Sequence, residues 1–424
     1  MTKYPLSVLV GLSLCALYGS AQAAAPLPIC AGAFEANKYD VGKQWTMLAG
    51  QGKDGWLFSV ANLLPYDPTL GKFQNDITRF RDELAKRGTE LITVSVPPRA
   101  ATMNQFLDPK VPVFKAYNAK AEAAKYAAYV KLVNSLGIYS PNALDIAYKN
   151  AGQFNFFFAR DHHWTPQAAG KVAEAMAAYI KTRPAYKDLP KVPFKLVSKP
   201  FELAGSYAKL VQDICQVTLP KEKTTTFEAV RVNPIGLLDD ETPQVVLVGT
   251  SHSNTGAFAE SLSYTLQTPV LNAALDAGGA RAAMETYFHS ADFRRAPPKF
   301  LIWELEDTLL QYDFYSQMIP TLKGPCAAKP LPLFFVGAGA KVRVPQRPAV
   351  GDYLTLTLPD LSVRSLRLAF VSGGRVVANS VVERPRVAQN DGVFYFELPQ
   401  SLKYDTVNIS SLYTGKASFQ MCKG

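Results

Sequence analysis

The run Gln244-Val245-Val246-Leu247-Val248-Gly249-Thr250-Ser251 constrains this chain more than any other stretch. An unbroken apolar run without polar alternation is a strand buried on both faces, which needs a sheet covered by helices. The following NTGAFAESLSYTL has helical character. Two more runs repeat the strand pattern: TELITVSVPPR (89–99), stopped by Pro97 and Pro98, and PPKFLIWELE (297–306). Helical spacing fills ITRFRDELAKRG (77–88), closed by Gly88, and AKAEAAKYAAYVKLVNSLG (119–137), closed by a glycine. It also fills TPQAAGKVAEAMAAYIKT (165–182), where Thr165 is placed to cap and Pro166 to start the helix. Strands alternating with helices predict an α/β domain on a largely parallel sheet.

After Cys326 the pattern changes. KPLPLFF and VRVPQRPAVGD are punctuated by proline, and DYLTLTLPD alternates Leu354, Leu356 and Leu358 with Thr355 and Thr357, the period of a half-buried strand. SLRLAFVSGGRVVANSVV predicts a hairpin about Gly373-Gly374, and DGVFYFELP another strand. A small all-β sandwich is expected after a boundary at about 325–345, giving domains over 24–330 and 331–424.

The N-terminus predicts export. Lys3, the apolar run PLSVLVGLSLCALYG and SAQA ending at Ala23 form the three regions of a cleavable secretory signal over residues 1–23, too short for a membrane span. The expected mature chain of about 400 residues has room for two domains. The chain carries 45 Lys+Arg against 35 Asp+Glu, net +10, or 10 − 1 = +9 without Lys3. These charges are dispersed, with no dense basic run of the kind nucleic-acid arms show; an anionic surface or polymer fits better. With Cys15 removed, Cys30, Cys215, Cys326 and Cys422 remain, an even set that predicts two disulfides in an oxidising compartment. Spacing leaves all three pairings open, and the cysteines lie too far apart for a CxxC zinc motif.

Two motifs carry chemistry. At Gly249-Thr250-Ser251 a strand runs into a helix, presenting a serine hydroxyl at the carboxyl edge of a parallel sheet, near backbone N–H groups suited to an oxyanion. The second glycine of a G-x-S-x-G elbow is missing, Ser253 standing in its place; the competing reading is a helix-capping serine. In RDHHWTP, Asp161 and His163 are two apart, so an extended segment points both to one side and His162 to the other. Asp161 would then orient His163 as the base that a serine nucleophile requires. Capping of the next helix is one alternative; a metal held by Asp161, His162 and His163 is another. No H-E-x-x-H motif or third nearby histidine supports the metal, and His252 and His289 would join only through tertiary proximity.

Strand-GTS-helix, D-H-H-W-T-P and the earlier GKDGWLF (52–58) together resemble the SGNH-hydrolase-like domain of bacterial polysaccharide O-acetylation proteins, the alginate-acetylating group in particular. The resemblance covers nearly the whole expected mature chain, including a carbohydrate-binding-like β module at its end. It implies a periplasmic O-acetyltransferase without a cofactor or metal, acting on hydroxyls of an exopolysaccharide, alginate (polymannuronate) foremost. The family triad falls on Asp161, His163 and Ser251, with D-x-H where ordinary SGNH enzymes have D-x-x-H. It also implies the pairings Cys30–Cys215 and Cys326–Cys422. The expected partners are an anionic polysaccharide, an acetyl donor delivered by membrane acetylation machinery, and other periplasmic export proteins; a monomer is expected.

Further residues are placed by position. Arg99 follows one strand and Trp303-Glu304 end another, at the carboxyl edge expected for Ser251. Arg99 would pair with a uronate carboxylate and Trp303 stack on a sugar ring; the competing readings are a surface ion pair and a core aromatic. Asn272 and Gly278-Gly279 are candidate oxyanion or substrate donors, or a plain loop. All four tryptophans precede the β module, whose sugar-binding candidates are therefore Arg364, Arg367, Arg375, Arg384 and Arg386 with Tyr353, Tyr395 or Tyr404. Beside the acetyltransferase stand two alternatives: a carbohydrate acetylesterase, with water as acceptor, and a non-catalytic polymer-binding scaffold.

Overall fold

Residues 27–41, 43–233, 242–306, 314–337, 339–344 and 348–424 are described by a computed structural model. The segment read as a secretion signal, with Cys15, lies outside the described residues. Among those residues no helix is long and apolar enough to cross a membrane.

The chain begins with a short antiparallel ribbon, β1 (Leu48–Gln51) on β2 (Leu57–Ser59), and then enters β3 (Glu90–Val96). A second antiparallel ribbon, β4 (Phe194–Leu203) on β5 (Glu222–Arg231), precedes β6 (Val245–Val248), β7 (Val270–Asn272) and β8 (Phe300–Glu306). The three apolar runs of the sequence become neighbours in one parallel sheet of order β3-β8-β6-β7, in register with Ile92 beside Ile302 and Val246 beside Leu301. Every residue of β6 is buried, and of β8 all but the last. Each fully buried Val, Leu or Ile contributes about 1.5–3 kcal/mol, which is why these runs occupy the centre.

Helices surround this sheet. Pro166–Thr182 is capped by the Thr165 hydroxyl, which accepts the Ala168 N–H at 3.3 Å. It buries Ala169, Val172, Ala173, Met176 and Ile180, three and four residues apart, and packs on the helix Phe258–Leu266. The β4–β5 ribbon lies over the same pair of helices. The sequence pattern does not announce this ribbon, because Pro200 interrupts one strand and much of its surface is exposed.

The C-terminal part is a sandwich of two antiparallel sheets. Its strands are β9 (Leu331–Phe335), β10 (Gly339–Arg343), β11 (Tyr353–Thr357), β12 (Ser365–Ser372), β13 (Arg375–Glu383), β14 (Val393–Glu397), β15 (Thr406–Ser410) and β16 (Gly415–Cys422). They are ordered β10-β15-β12-β13 and β14-β11-β16-β9. Leu354, Leu356, Leu366, Leu368, Phe394, Phe396 and Ile409 fill the space between them. Gly373 and Gly374 turn the β12–β13 hairpin with φ of 54° and 82°, the left-handed pair that a two-residue hairpin favours. The expected half-exposure of β11 is met only at Thr357, since Tyr353 and Thr355 are buried as well. The helix Tyr315–Lys323 packs on the neighbouring β14, and the Tyr353 hydroxyl donates to Gly324 O at 2.7 Å.

The two cores are separate, one running from Trp56 to Leu322 and the other from Leu333 to Ala417. Polar contacts join them: Arg79 with Glu397, His289 with Asp391, and Gln317, whose side chain accepts the Glu383 N–H at 3.0 Å. The cysteines pair as Cys30–Cys215 and Cys326–Cys422, one disulfide in each half of the molecule.

Candidate active site

Ser251 opens the helix Ser251–Thr255 directly after β6, with Thr250 as its cap. Glu304 of β8 lies beneath this turn, fully buried. Its Oε2 accepts the Thr250 N–H at 2.7 Å, the Thr250 hydroxyl at 3.0 Å and the Ser253 hydroxyl at 3.0 Å. Burial pushes this carboxyl up to about 7, against the opposing pull of those hydrogen bonds. Gly249 is required here, because a Cβ would stand 2.7 Å from both Glu304 Oε2 and Ser253 Oγ. Ser253, in the place of the elbow's second glycine, is therefore part of the brace that holds the turn.

Asp161 and His163 meet by a different route from the extended segment expected. Phe157 and Trp164 form an antiparallel bridge, and the Phe158 N–H donates to His163 O at 3.2 Å, so the motif sits at the tip of a tight loop. Asp161 Oδ1 accepts both the His163 backbone N–H at 2.7 Å and its ring Nδ1–H at 2.5 Å. A side-chain-to-backbone turn, not pleat alternation, thus aligns the pair. Asp161 Oδ2 accepts the N–H of Ser206, the first residue of the helix Ser206–Cys215, at 2.6 Å. Burial favours the neutral acid, but the His163 hydrogen bonds and the adjacent histidines hold this carboxyl well below the usual range.

His163 Nε2 lies 2.7 Å from Ser251 Oγ. With Nδ1–H committed to Asp161, Nε2 presents its lone pair to the hydroxyl. Asp161 and His163 are nearly closed to solvent, at 2 % and 9 % exposed, while Ser251 is half-buried. His162 does not face away: its ring lies 3.8 Å from that of His163, and its Nδ1 is 2.8 Å from Ser206 Oγ. Burial, followed by repulsion from His163, pushes His162 down to about 4. His252 arrives from the serine helix, with its ring 4.8 Å from that of His163.

The site opens on a cavity of about 630 Å³ bordered by Ser251, His162, Tyr207, Arg99, Gly279 and Glu306, with apolar walls from Leu64, Val96, Phe157 and Leu210.

The structure separates the other expected residues. Trp303 is fully buried beside Phe80 and Phe314, in the core and out of reach of a sugar ring. Glu304 is sealed under the serine turn, so it positions that turn and meets no substrate. Arg99 borders the cavity but is only 4 % exposed, within 4.8 to 5.6 Å of the rings of Trp56, Phe58, Phe157 and Tyr207. Its Nη2 donates to Leu57 O at 3.1 Å and Ala159 O at 2.9 Å, clamping β2 to the loop that carries Asp161. It is a buried cation at the border of the cavity, not an exposed surface charge.

Asn272 stands exposed on the edge strand β7, donating to Asn254 Oδ1 at 2.9 Å. Of its loop, Ala277 and Gly279 reach the cavity. Arg364 is used internally, donating to Pro385 O at 3.0 Å and Ala388 O at 3.1 Å. Arg384 is buried against Phe394, whereas Arg367 and Arg375 are exposed. Tyr353, Tyr395 and Tyr404 are buried, so none offers an open stacking face. Ser206, Tyr207 and Glu306 were not singled out from the sequence, where nothing local marks them.

The family described as the SGNH hydrolase-like domain of the acetyltransferase AlgX matches residues 50–307. The alginate biosynthesis protein AlgX of Pseudomonas aeruginosa is 28% identical over 298 residues, spanning 66% of this chain and 60% of that protein. AlgX of Pseudomonas syringae pv. tomato is 27% identical over 399 residues, 87% of this chain and 81% of that protein. The probable alginate O-acetylase AlgJ of Pseudomonas syringae pv. tomato is 27% identical over 278 residues, 61% of this chain and 68% of that protein. The solved structure of Pseudomonas aeruginosa AlgX shares the fold, with a TM-score of 0.79 and 22% identity over 93% of this chain and 99% of that one. This chain belongs to the SGNH hydrolase-like acetyltransferase family of AlgX.

Proposed function

We propose that the protein is a periplasmic O-acetyltransferase that acetylates hydroxyls of an anionic exopolysaccharide, an alginate-like polyuronate, through an acetyl-Ser251 intermediate. The observation that carries this reading is the hydrogen-bonded chain Asp161–His163–Ser251 at the edge of an open cavity. His163 Nε2 takes the Ser251 proton as Oγ attacks the donor's acetyl carbonyl, and the Ser251 N–H at the helix start faces the developing oxyanion. His163 returns the proton to the departing group. It then removes a proton from a sugar hydroxyl, whose oxygen takes the acetyl group, and passes that proton to the departing Ser251 Oγ. Asp161 fixes the tautomer of His163 and stabilises its cationic form.

The names of the relatives, alginate biosynthesis proteins and a probable alginate O-acetylase, support the polymer class. The excess of 45 basic over 35 acidic residues suits a polyanionic acceptor. The donor is expected from membrane acetylation machinery, and the polymer from periplasmic export proteins. Incubation with an activated aryl acetate, followed by intact mass measurement, tests the serine: the acetyl adduct should form and be absent in Ser251→Ala. An adduct and full turnover in that variant would sink the assignment. Product analysis with deacetylated polymer then separates transfer to sugar from hydrolysis.

A further inference from the structure

The chain has four histidines, and three of them converge. We propose that His162, His163 and His252 form an inhibitory site for a divalent transition-metal ion of the zinc class, at the inner end of the cavity. One ring nitrogen from each lies within 4.8 Å of the other two. The ring centroids are 3.8 Å apart for His162 and His163, 4.8 Å for His163 and His252, and 5.4 Å for His162 and His252. Sequence spacing argued against such a site, because neighbouring histidines seldom share an ion. The tight loop removes that objection by laying the two rings against each other, and the serine helix supplies the third.

The hydrogen bonds leave ligand lone pairs in suitable places. His163 gives Nδ1–H to Asp161 and keeps a lone pair on Nε2, now turned to the Ser251 hydroxyl at 2.7 Å, the carboxylate–histidine–metal arrangement by which proteins orient zinc ligands. His162 has Nδ1 against Ser206 Oγ at 2.8 Å, while its Nε2 has no hydrogen-bond partner among the described residues. His252 is buried beside them, and its only ring hydrogen bonds among the described residues are two long contacts of 3.3 Å, one at each nitrogen. A tetrahedral ion with Zn–N bonds of about 2.0–2.1 Å wants its nitrogens about 3.4 Å apart, so the rings must close by about 1.4 Å. The His162 side chain, 32 % exposed, has the freedom to make most of that movement. The cavity supplies room for a water as the fourth ligand.

Binding must oppose the acetyl-transfer chemistry, on which the inhibitory sense of this inference rests. The lone pair on His163 Nε2 either accepts the Ser251 proton or binds the ion. A bound ion therefore leaves Ser251 without its base.

The test uses the whole purified chain and Co²⁺ as the probe. Titration should develop the visible absorption of four-coordinate Co²⁺ bound to nitrogen, saturating at one ion per chain and bleached by Zn²⁺. His162→Gln and His252→Gln should each weaken binding by about tenfold or more. Absence of that absorption in the wild-type chain, or unchanged affinity in the folded His162→Gln variant, overturns the site. His162 is the decisive position because it is partly exposed, whereas His252 is buried and its variant is open to misfolding. In a second arm, Zn²⁺ should suppress hydrolysis of an aryl acetate and a chelator should restore it; acceleration by Zn²⁺ overturns the inhibitory assignment. If the chain proves to lack esterase and transferase activity altogether, the acetyl-transfer reading fails while the Co²⁺ titration still decides the metal site.

Discussion

Glu304→Gln isolates the cost of burying a carboxyl beneath the catalytic turn. Glu304 is fully enclosed, and burial pushes it from an ordinary 4.5 up to about 7. The folded chain therefore holds this proton more tightly than the unfolded chain. Stability from this residue is highest below pH 4.5, falls as pH rises, and levels off above pH 7. One pH unit of differential protonation is worth about 1.36 kcal/mol, so the loss between pH 5 and pH 8 comes to about 2.5 kcal/mol. Glutamine keeps the shape and an oxygen for the Thr250 N–H but carries no titrating group. Wild type and variant should therefore diverge with pH, Glu304→Gln gaining about 2.5 kcal/mol on wild type between pH 5 and pH 8. Urea unfolding followed by tryptophan fluorescence reads the right region, since Trp45, Trp56, Trp164 and Trp303 all precede the sandwich. The reasoning is refuted if the difference between the two proteins is the same at both pH values, or moves the other way.

Asp161→Asn should fold and retain the loop, yet lower acetyl transfer by about 10³–10⁴-fold, since an amide cannot fix the required tautomer of His163; steady-state kinetics on an aryl acetate check this. His163→Ala should be at least as damaging, whereas His162→Ala should stay within about tenfold of wild type in the same assay, because the His162 ring is hydrogen-bonded to Ser206 and not to Ser251 Oγ. Equal losses would mean that the wrong histidine has been named as base. Arg99→Met leaves the Leu57 and Ala159 carbonyls without their cation and should destabilise the chain by about 1–3 kcal/mol in urea unfolding. Replacing Cys326 and Cys422 together by serine opens a loop of 96-residue separation. Chain entropy then predicts a loss of about 4.7 kcal/mol, read by calorimetry as a lowered transition of the sandwich.

What the sequence revealed was whatever depends on local pattern. The Val245–Val248 run could only be a covered strand, Thr165-Pro166 could only start a helix, and Gly373-Gly374 set a hairpin. Asp161 and His163 were paired correctly by their spacing, although the force that pairs them is a hydrogen bond to the His163 backbone. The β4–β5 ribbon escaped notice because its residues bury too little apolar surface to leave a periodic signal.

The errors at Trp303 and Glu304 have one origin. A strand's period says that neighbouring side chains point to opposite faces, but not which faces are open. β8 lies between β3 and β6, and helices cover the sheet, so neither face of β8 meets solvent. Strand order is a property of the whole chain, and no window of ten residues contains it. The same argument explains Arg99, whose charge led to a surface reading. A guanidinium does stay buried when carbonyls and ring faces replace its water, and here they come from Leu57, Ala159, Trp56 and Tyr207, up to 108 positions away (207 − 99). His252 joins the pair His162–His163 for a like reason, since β6 and the D-H-H-W loop meet only after the sheet has assembled. The catalytic residue types were thus legible one motif at a time. Their supports were not, because Glu304, Ser206 and Arg99 act across distances that only the closed fold creates.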